Sequence, residues 1–390
     1  MATGGTSGCF VRVSSHFSKP AVEIGNAKVG LKVACSGCQI VCASAPGVPF
    51  NPLWDPPWET VPVSLRRVKA REEANFSQAK TDVMESQLLA SIGGHSYCLD
   101  VFGAHSEGET KHSGLSFHGE AGLKEWEVTD VTDNSVTLSC HLKETQLAVS
   151  REFTVHADLP VIQVSETLKN LVGFQRALGR QQHVTIGSEM LKGDACTFTT
   201  NCDKGRTWPD DNGENSFFAT GKDFEVGENI PRKDGGTDDW SRYPRCESNS
   251  DLCTMRVAPS SDLGYFSVLK PGAESASGST VSFSYTWERE TFPWLMTWEE
   301  NRCRSQAPWN GRTLCRGLEF GSYCFATGRK RNVEQGSMFG TPCFEWVDAY
   351  EEKKTNFWIS LQTGQFDATN PLKTGVLAME QASNAFSSSN

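Results

Sequence analysis

Apolar and polar residues alternate with a period of two along much of this chain. The pattern is clear at residues 135–140, 147–155, 161–165 and 280–287, and it predicts strands with one face on a core and the other toward solvent. Turn residues separate these runs, among them Asp133 and Asn134, Gly235 and Gly236, and Pro271 and Gly272. One stretch reads as a helix: over residues 75–92, Ala79, Val83, Leu88 and Leu89 fall near helical spacing, and Gly93 and Gly94 supply the stop. Many strands with few helices predict an all-β sandwich or barrel. Residues 192–250 carry Asp210, Asp211, Asp238 and Asp239 among few apolar positions, and read as long loops over one face, either functional or a solvated acidic surface. The tail beyond Gln381 is rich in Ser and Asn and is expected to fray.

Composition narrows this picture. The 390 residues are 38% apolar and 22% charged, with 22 Phe and 11 Trp, enough bulk for a large core. A single all-β domain of this size is ordinary, so residues 21–381 are expected to form one domain, with a flexible tail at 382–390. Before Asn51 the only acid is Glu23, against Arg12, Lys19, Lys28 and Lys32. Residues 1–20 are therefore expected to be poorly ordered or targeting, with organelle import as one reading. The competing reading starts mature strands at Ala21, since Val22, Ile24, Val29, Leu31 and Val33 already follow a strand pattern.

A formal charge of −10 without a basic run argues against nucleic acid and against an anionic membrane as partners. Residues 31–50, the nearest approach to a spanning segment, are broken by Lys, Ser, Gly, Gln and Pro, so a cytoplasmic protein, a monomer or weak dimer, is expected. The 14 cysteines are too sparse for a disulfide scaffold and are expected as free thiols. Cys35, Cys38 and Cys42 form one cluster, but Cys35 and Cys38 would point to opposite faces of a strand and no second CxxC exists, so no metal is expected there.

Three segments place an ionisable side chain beside glycine within a strand-like run. They are residues 114–120 with His118 and Gly119, residues 181–187 with Gln182 and His183, and residues 316–321 with Arg316 and Glu319. A titrating group that interrupts an apolar strand faces either solvent, a hydrogen-bonded structural partner, or a cleft where it has a task. Tryptophans offer a second signal. Trp298, followed by Glu300 and Asn301, leans toward a binding site, whereas Trp54 and Trp58 suit either a site or the packing of turns, and Trp309 sits in a similar polar context. Arg302 and Arg304 are expected to pair with Glu299 and Glu300 rather than to read an anion on a ligand.

Taken in order, His118 with Gly119, then His183, then Leu318-Glu319-Phe320 resemble the galactose mutarotase-like superfamily, especially its aldose 1-epimerase-related branch. The resemblance extends through residues 51–58, 94–100 and 293–301 and covers roughly residues 20–370. It implies a β-supersandwich with a concave sugar site, in which Glu319 is the general base, His183 the general acid and His118 a second imidazole on the sugar. By the same resemblance Trp298, Glu300, Asn301, Gln182, His95, Asp100 and Arg316 become substrate-binding candidates, and Asp239 shares with Asp100 the claim to the family's sugar-binding Asp. No cofactor is implied, and the expected partner is a monosaccharide or sugar-end ligand. One departure stands out: Gln182 precedes the second His where well-characterised mutarotases carry Asn. The expected activity is anomer exchange. The alternatives are a carbohydrate-binding protein without chemistry and, last, a glycan lyase or hydrolase, for which Glu299 or Glu300 would have to supply a second carboxylate.

Overall fold

A computed structural model describes residues 8–65, 83–104, 117–193, 196–227, 229–244, 248–271 and 279–364. They build two antiparallel sheets that share one apolar core. The larger sheet has 11 strands, running in spatial order Phe10–His16, Lys19–Gly25, Gly30–Ala34, Gln39–Ser44, His95–Leu99, Arg180–Ile186, Leu314–Gly321, Trp294–Asn301, Leu252–Val257, Cys202–Thr207 and Asp223–Glu225. The smaller has eight: Thr197–Thr200, Leu263–Pro271, Thr280–Glu288, Glu352–Gly364, Val161–Asn170, Leu147–Val155, Ser135–Leu142 and Glu127–Val131. The α-helices among the described residues are Val83–Leu89, Ser188–Leu191 and Gly328–Gln335, and no helix there is long and apolar enough to cross a membrane.

Period-two patterning produces this architecture directly. Leu147–Val155 alternates buried and half-buried residues along its whole length, as a strand with a single covered face must. The two central strands, Arg180–Ile186 and Leu314–Gly321, differ: every residue of both is buried. Their inner face packs on the smaller sheet, where Phe320 stacks on Trp287 with ring centroids 4.3 Å apart and planes 7° from parallel. Their outer face is covered by loops, and that cover encloses the cavity described below.

A buried polar network also ties the sheets together. Arg151 donates to Glu166 at 3.0 Å and to Gln182 at 2.6 Å, Tyr97 donates to Glu166 at 2.7 Å, and Arg180 bridges Glu166 and Glu345. His95 approaches Gln182 Oε1 at 3.0 Å, with Tyr285 OH against its other ring nitrogen at 3.3 Å. Charges this deep are tolerated because each is paired.

One expectation is seen in part and two change. Of the helix expected over 75–92, Val83–Leu89 is seen; residues 66–82 lie outside the described set. Residues 192–250 are not simply loops, because Thr197–Thr200 and Cys202–Thr207 add a strand to each sheet. At the N-terminus, Phe10–His16 pairs with Lys19–Gly25 as the edge of the larger sheet, so residues 10–20 are built into the domain. The first seven residues and the tail from 365 lie outside the described set.

Candidate active site

Strand register assembles the site. His183 lies opposite Glu319, and Glu319 opposite Met296; two residues along, Thr185 lies opposite Gly317, and Gly317 opposite Trp298. Because side chains alternate across a strand, His183, Glu319, Met296 and Trp298 all project from the outer face of the larger sheet. Gly317 makes the carboxylate's room: a Cβ there would stand 2.2 Å from Glu319 Oε1.

His118 arrives from a different direction. It sits in the left-handed region at φ 62°, followed by Gly119 at φ 80°. A Cβ on Gly119 would stand 2.1 Å from the Leu99 carbonyl oxygen, so only glycine lets this turn press against the His95–Leu99 strand. The Gly103 amide donates to His118 Nδ1 at 3.1 Å, which leaves Nε2 to carry the proton of the neutral ring. The His118 and His183 rings meet edge to face with centroids 5.0 Å apart.

His183 Nε2 lies 3.3 Å from Glu319 Oε1, and its Nδ1 lies 3.2 Å from Thr185 Oγ1. Burial governs all three titrating groups by disfavouring their charged forms. It lowers His183 to about 4 and pushes Glu319 well above the ordinary carboxyl value. His118 is held well below the usual imidazole range by burial first and the neighbouring His183 second. Burial therefore favours the neutral form of each group, and the 3.3 Å approach lets Glu319 and His183 share a proton.

These side chains open on a cavity of about 270 Å³. Its wall is aromatic. Trp54 and Trp309 stack with centroids 6.1 Å apart and planes 9° from parallel, and Trp298 meets Trp309 edge to face at 6.0 Å. Trp58 packs behind them and is tied to the Leu89 carbonyl. Leu88, Leu89 and Ile92 add aliphatic wall. Two buried polar atoms at the cavity, Trp298 Nε1 and Glu319 Oε1, make no well-aligned hydrogen bond, Oε1 having only the 3.3 Å approach of His183 Nε2, and so can receive a ligand's polar groups. A larger groove, about 1360 Å³ along Arg256, Glu290 and Trp346, contains no imidazole.

Of the candidates from sequence, His118, His183, Glu319 and Trp298 meet at this cavity, together with Trp54, Trp309 and Arg304. The other binding candidates do not line it, for traceable reasons. Gln182 and His95 point to the inner face and belong to the Arg151–Glu166 network. Arg316 also points inward, paired with Glu299 at 3.2 Å and stacked over Phe198 at 4.2 Å. Asp100 is a buried anchor for Arg329 at 2.7 Å and Arg176 at 3.1 Å. Asp239 pairs with Arg242 on a loop, and Asn301 accepts from Arg302. Glu300 accepts from the Cys303 and Arg304 amides and holds the Arg304 guanidinium at 3.2 Å, so it positions a cavity residue without lining the cavity. Neither Glu299 nor Glu300 is thus presented across the cavity from Glu319 as a second carboxylate.

Sequence reasoning missed Met296, Leu252, Phe117, Trp208 and Asn212, all of which line the cavity. Met296 was recoverable, since it precedes Trp298 by two on the same strand. Trp208 and Asn212 lie in the irregular segment, where no periodicity marks them.

No family model and no curated protein matches this sequence. Solved structures do. A galactose mutarotase-like protein from Clostridium acetobutylicum superposes with a TM-score of 0.57 at 11% identity, covering 93% of this chain and 100% of that one. A proposed aldose 1-epimerase from Klebsiella pneumoniae gives a TM-score of 0.57 at 11% identity, covering 90% and 83%. A galactose mutarotase related enzyme from Lactobacillus acidophilus gives 0.53 at 10% identity, covering 88% and 97%. At these identities the similarity speaks for architecture, and together with the two-sheet topology it establishes that the chain has the fold of the galactose mutarotase-like superfamily.

Proposed function

We propose that the cavity receives the hemiacetal end of a monosaccharide or sugar-end ligand and exchanges its anomers by general acid/base ring opening. The observation that carries this reading is the meeting of Glu319, His183 and His118 in one cavity with a tryptophan wall. At about 270 Å³ the cavity lies near the small end of ligand sites, which run from roughly 300 to 1,000 Å³, a size suited to one ring rather than a chain of rings.

Anomer exchange needs a base to take the proton from the anomeric hydroxyl and an acid to protonate the ring oxygen. The C1–O5 bond then breaks, the freed aldehyde rotates about C1–C2, and reclosure runs the same transfers in reverse. One proton shared between Glu319 and His183 suffices for this cycle. The resemblance assigns the base to Glu319 and the acid to His183; burial favours the opposite resting arrangement, a protonated carboxyl that gives and a neutral imidazole that takes. Exchange is reversible, so a single shared proton serves both directions. Nε2–H of His118 supplies a hydrogen bond to the ring oxygen or an adjacent hydroxyl. Each acid or base role is worth roughly 10² to 10⁴ in rate.

The second reading, binding without chemistry, is favoured by the same aromatic wall, because a tryptophan face accepts the C–H face of a ring whether or not a proton moves. The decay of optical rotation of freshly dissolved aldoses, followed with and without protein, separates the two. Faster decay for at least one aldose, lost in Glu319→Gln, supports exchange; unchanged decay across the panel alongside measurable binding leaves the binding reading alone.

A further inference from the structure

We infer that the ligand carries a carboxylate, as a uronic acid does, and that the Arg304 guanidinium receives it; this rests on the proposed sugar-end reading of the same cavity. Among the described residues Arg304 is the one Lys or Arg on the lining, and Glu319 the one carboxyl group. The guanidinium is clamped from behind. Glu300 holds its Nε at 3.2 Å, and the Trp309 and Trp298 rings lie 4.7 and 5.3 Å from its central carbon. Its terminal nitrogens, Nη1 and Nη2, meet no acceptor among the described residues. They form the planar, two-pronged edge that a carboxylate accepts with both oxygens, and the clamp fixes that edge before a ligand arrives.

The rest of the lining favours the same charge. Trp298 Nε1 is buried without a partner, and no described residue accepts from the indole N–H of Trp54, Trp208 or Trp309. Free acceptors among the lining side chains are fewer: Asn212 Oδ1, its nitrogen being spent on the Ser250 carbonyl at 2.8 Å, and the pair of Glu319 and His183. A wall rich in donors suits a ligand rich in acceptors, and an anion most of all. Burial favours the protonated form of Glu319, which lessens its repulsion of an incoming carboxylate. The spacing suits one ring. Trp298 lies 6.3 Å from His183 between ring centroids and 5.3 Å from Arg304, so a sugar laid on that indole reaches the proton-sharing pair with C1 and Arg304 with its exocyclic carbon. One guanidinium edge matches one planar monoanion, whereas a phosphate dianion would bring a second charge for which the described lining holds no cation.

The test uses the full chain and, in the gluco and the galacto series alike, the neutral aldose, its uronate and its 6-phosphate. Ring-opening rates are read by NMR exchange, and binding by quenching of the fluorescence of the tryptophan wall. In at least one series the uronate is expected to exceed the aldose in affinity and in kcat/KM by at least about tenfold, the worth of one charge-assisted hydrogen bond, and to exceed the 6-phosphate. Arg304→Gln should bring the uronate-to-aldose ratio down to about one, and Arg304→Lys, which keeps the charge and loses the fork, should fall between. If the aldose is turned over as well as or better than its uronate in both series, this inference fails while anomer exchange survives. A 6-phosphate ahead of its uronate, or a uronate preference that persists in Arg304→Gln, also overturns it. If the uronate binds best and nothing is turned over, exchange fails and the ligand class survives. Absence of both binding and turnover throughout overturns the inference.

Discussion

Glu319 and His183 are residues whose burial opposes stability. Above pH 4.5 the unfolded chain ionises its glutamate, whereas burial raises the folded Glu319 carboxyl well above that ordinary value and favours its protonated form. Unfolding therefore releases a proton, and this contribution to stability declines as pH rises from 4.5 until the folded carboxyl itself ionises. His183 has the opposite sign. Its folded value of about 4 lies below the ordinary 6.5, so stability is lost as pH falls through that interval. Glu319→Gln removes the first effect and should fold more stably than wild type, with an advantage that grows above pH 4.5 by up to about 1.4 kcal/mol per pH unit. Urea unfolding of both proteins at several pH values measures it, and a pH-independent difference would mean that Glu319 is not held protonated. The same variant should lose anomer exchange by at least about 10².

On the scale of elements, one strand divides two tasks. Leu314–Gly321 turns Arg316 inward to Glu299, Phe198 and Trp240, and turns Gly317 and Glu319 outward to the cavity. Substitutions at adjacent positions should therefore part ways. Arg316→Met leaves the Glu299 carboxylate buried without its cation and should cost about 3–5 kcal/mol in stability while sparing the cavity. Gly317→Ala should leave the core nearly untouched and displace the Glu319 carboxylate, lowering activity with little change in the denaturation midpoint. This alternation also decides what could be read from the sequence. Period-two patterning revealed the strands and put His183 and Glu319 where a titrating group needs a reason. It did not say which face was the core, because both faces of the central strands are buried. Nothing in the pattern therefore corrects the resemblance where it offers Arg316, Gln182 and His95 to the ligand, although the inner face holds all three. Trp208 and Asn212 were invisible for a different reason, since their place depends on how an irregular segment folds back over the sheet.

For the molecule as a whole, the two sheets play unequal parts. The smaller packs the inner face of the larger and anchors it through Arg151, Glu166 and the Phe320–Trp287 stack, so the strands carrying His183 and Glu319 are clamped and their register is fixed. The ordered trio of His118, His183 and Glu319 was legible because it survives as short local motifs; its convergence depends on strand pairing between residues 136 apart in sequence, His183 and Glu319, which no local pattern contains. The central claim is that these two side chains work as one proton-carrying unit. The rate of anomer exchange in wild type, Glu319→Gln, His183→Asn and the double variant tests it most directly. The account predicts that each single change costs at least about 10² and that the double variant is scarcely slower than either, as for groups that act together. Wild-type turnover in Glu319→Gln, or losses that multiply in the double variant, would contradict it.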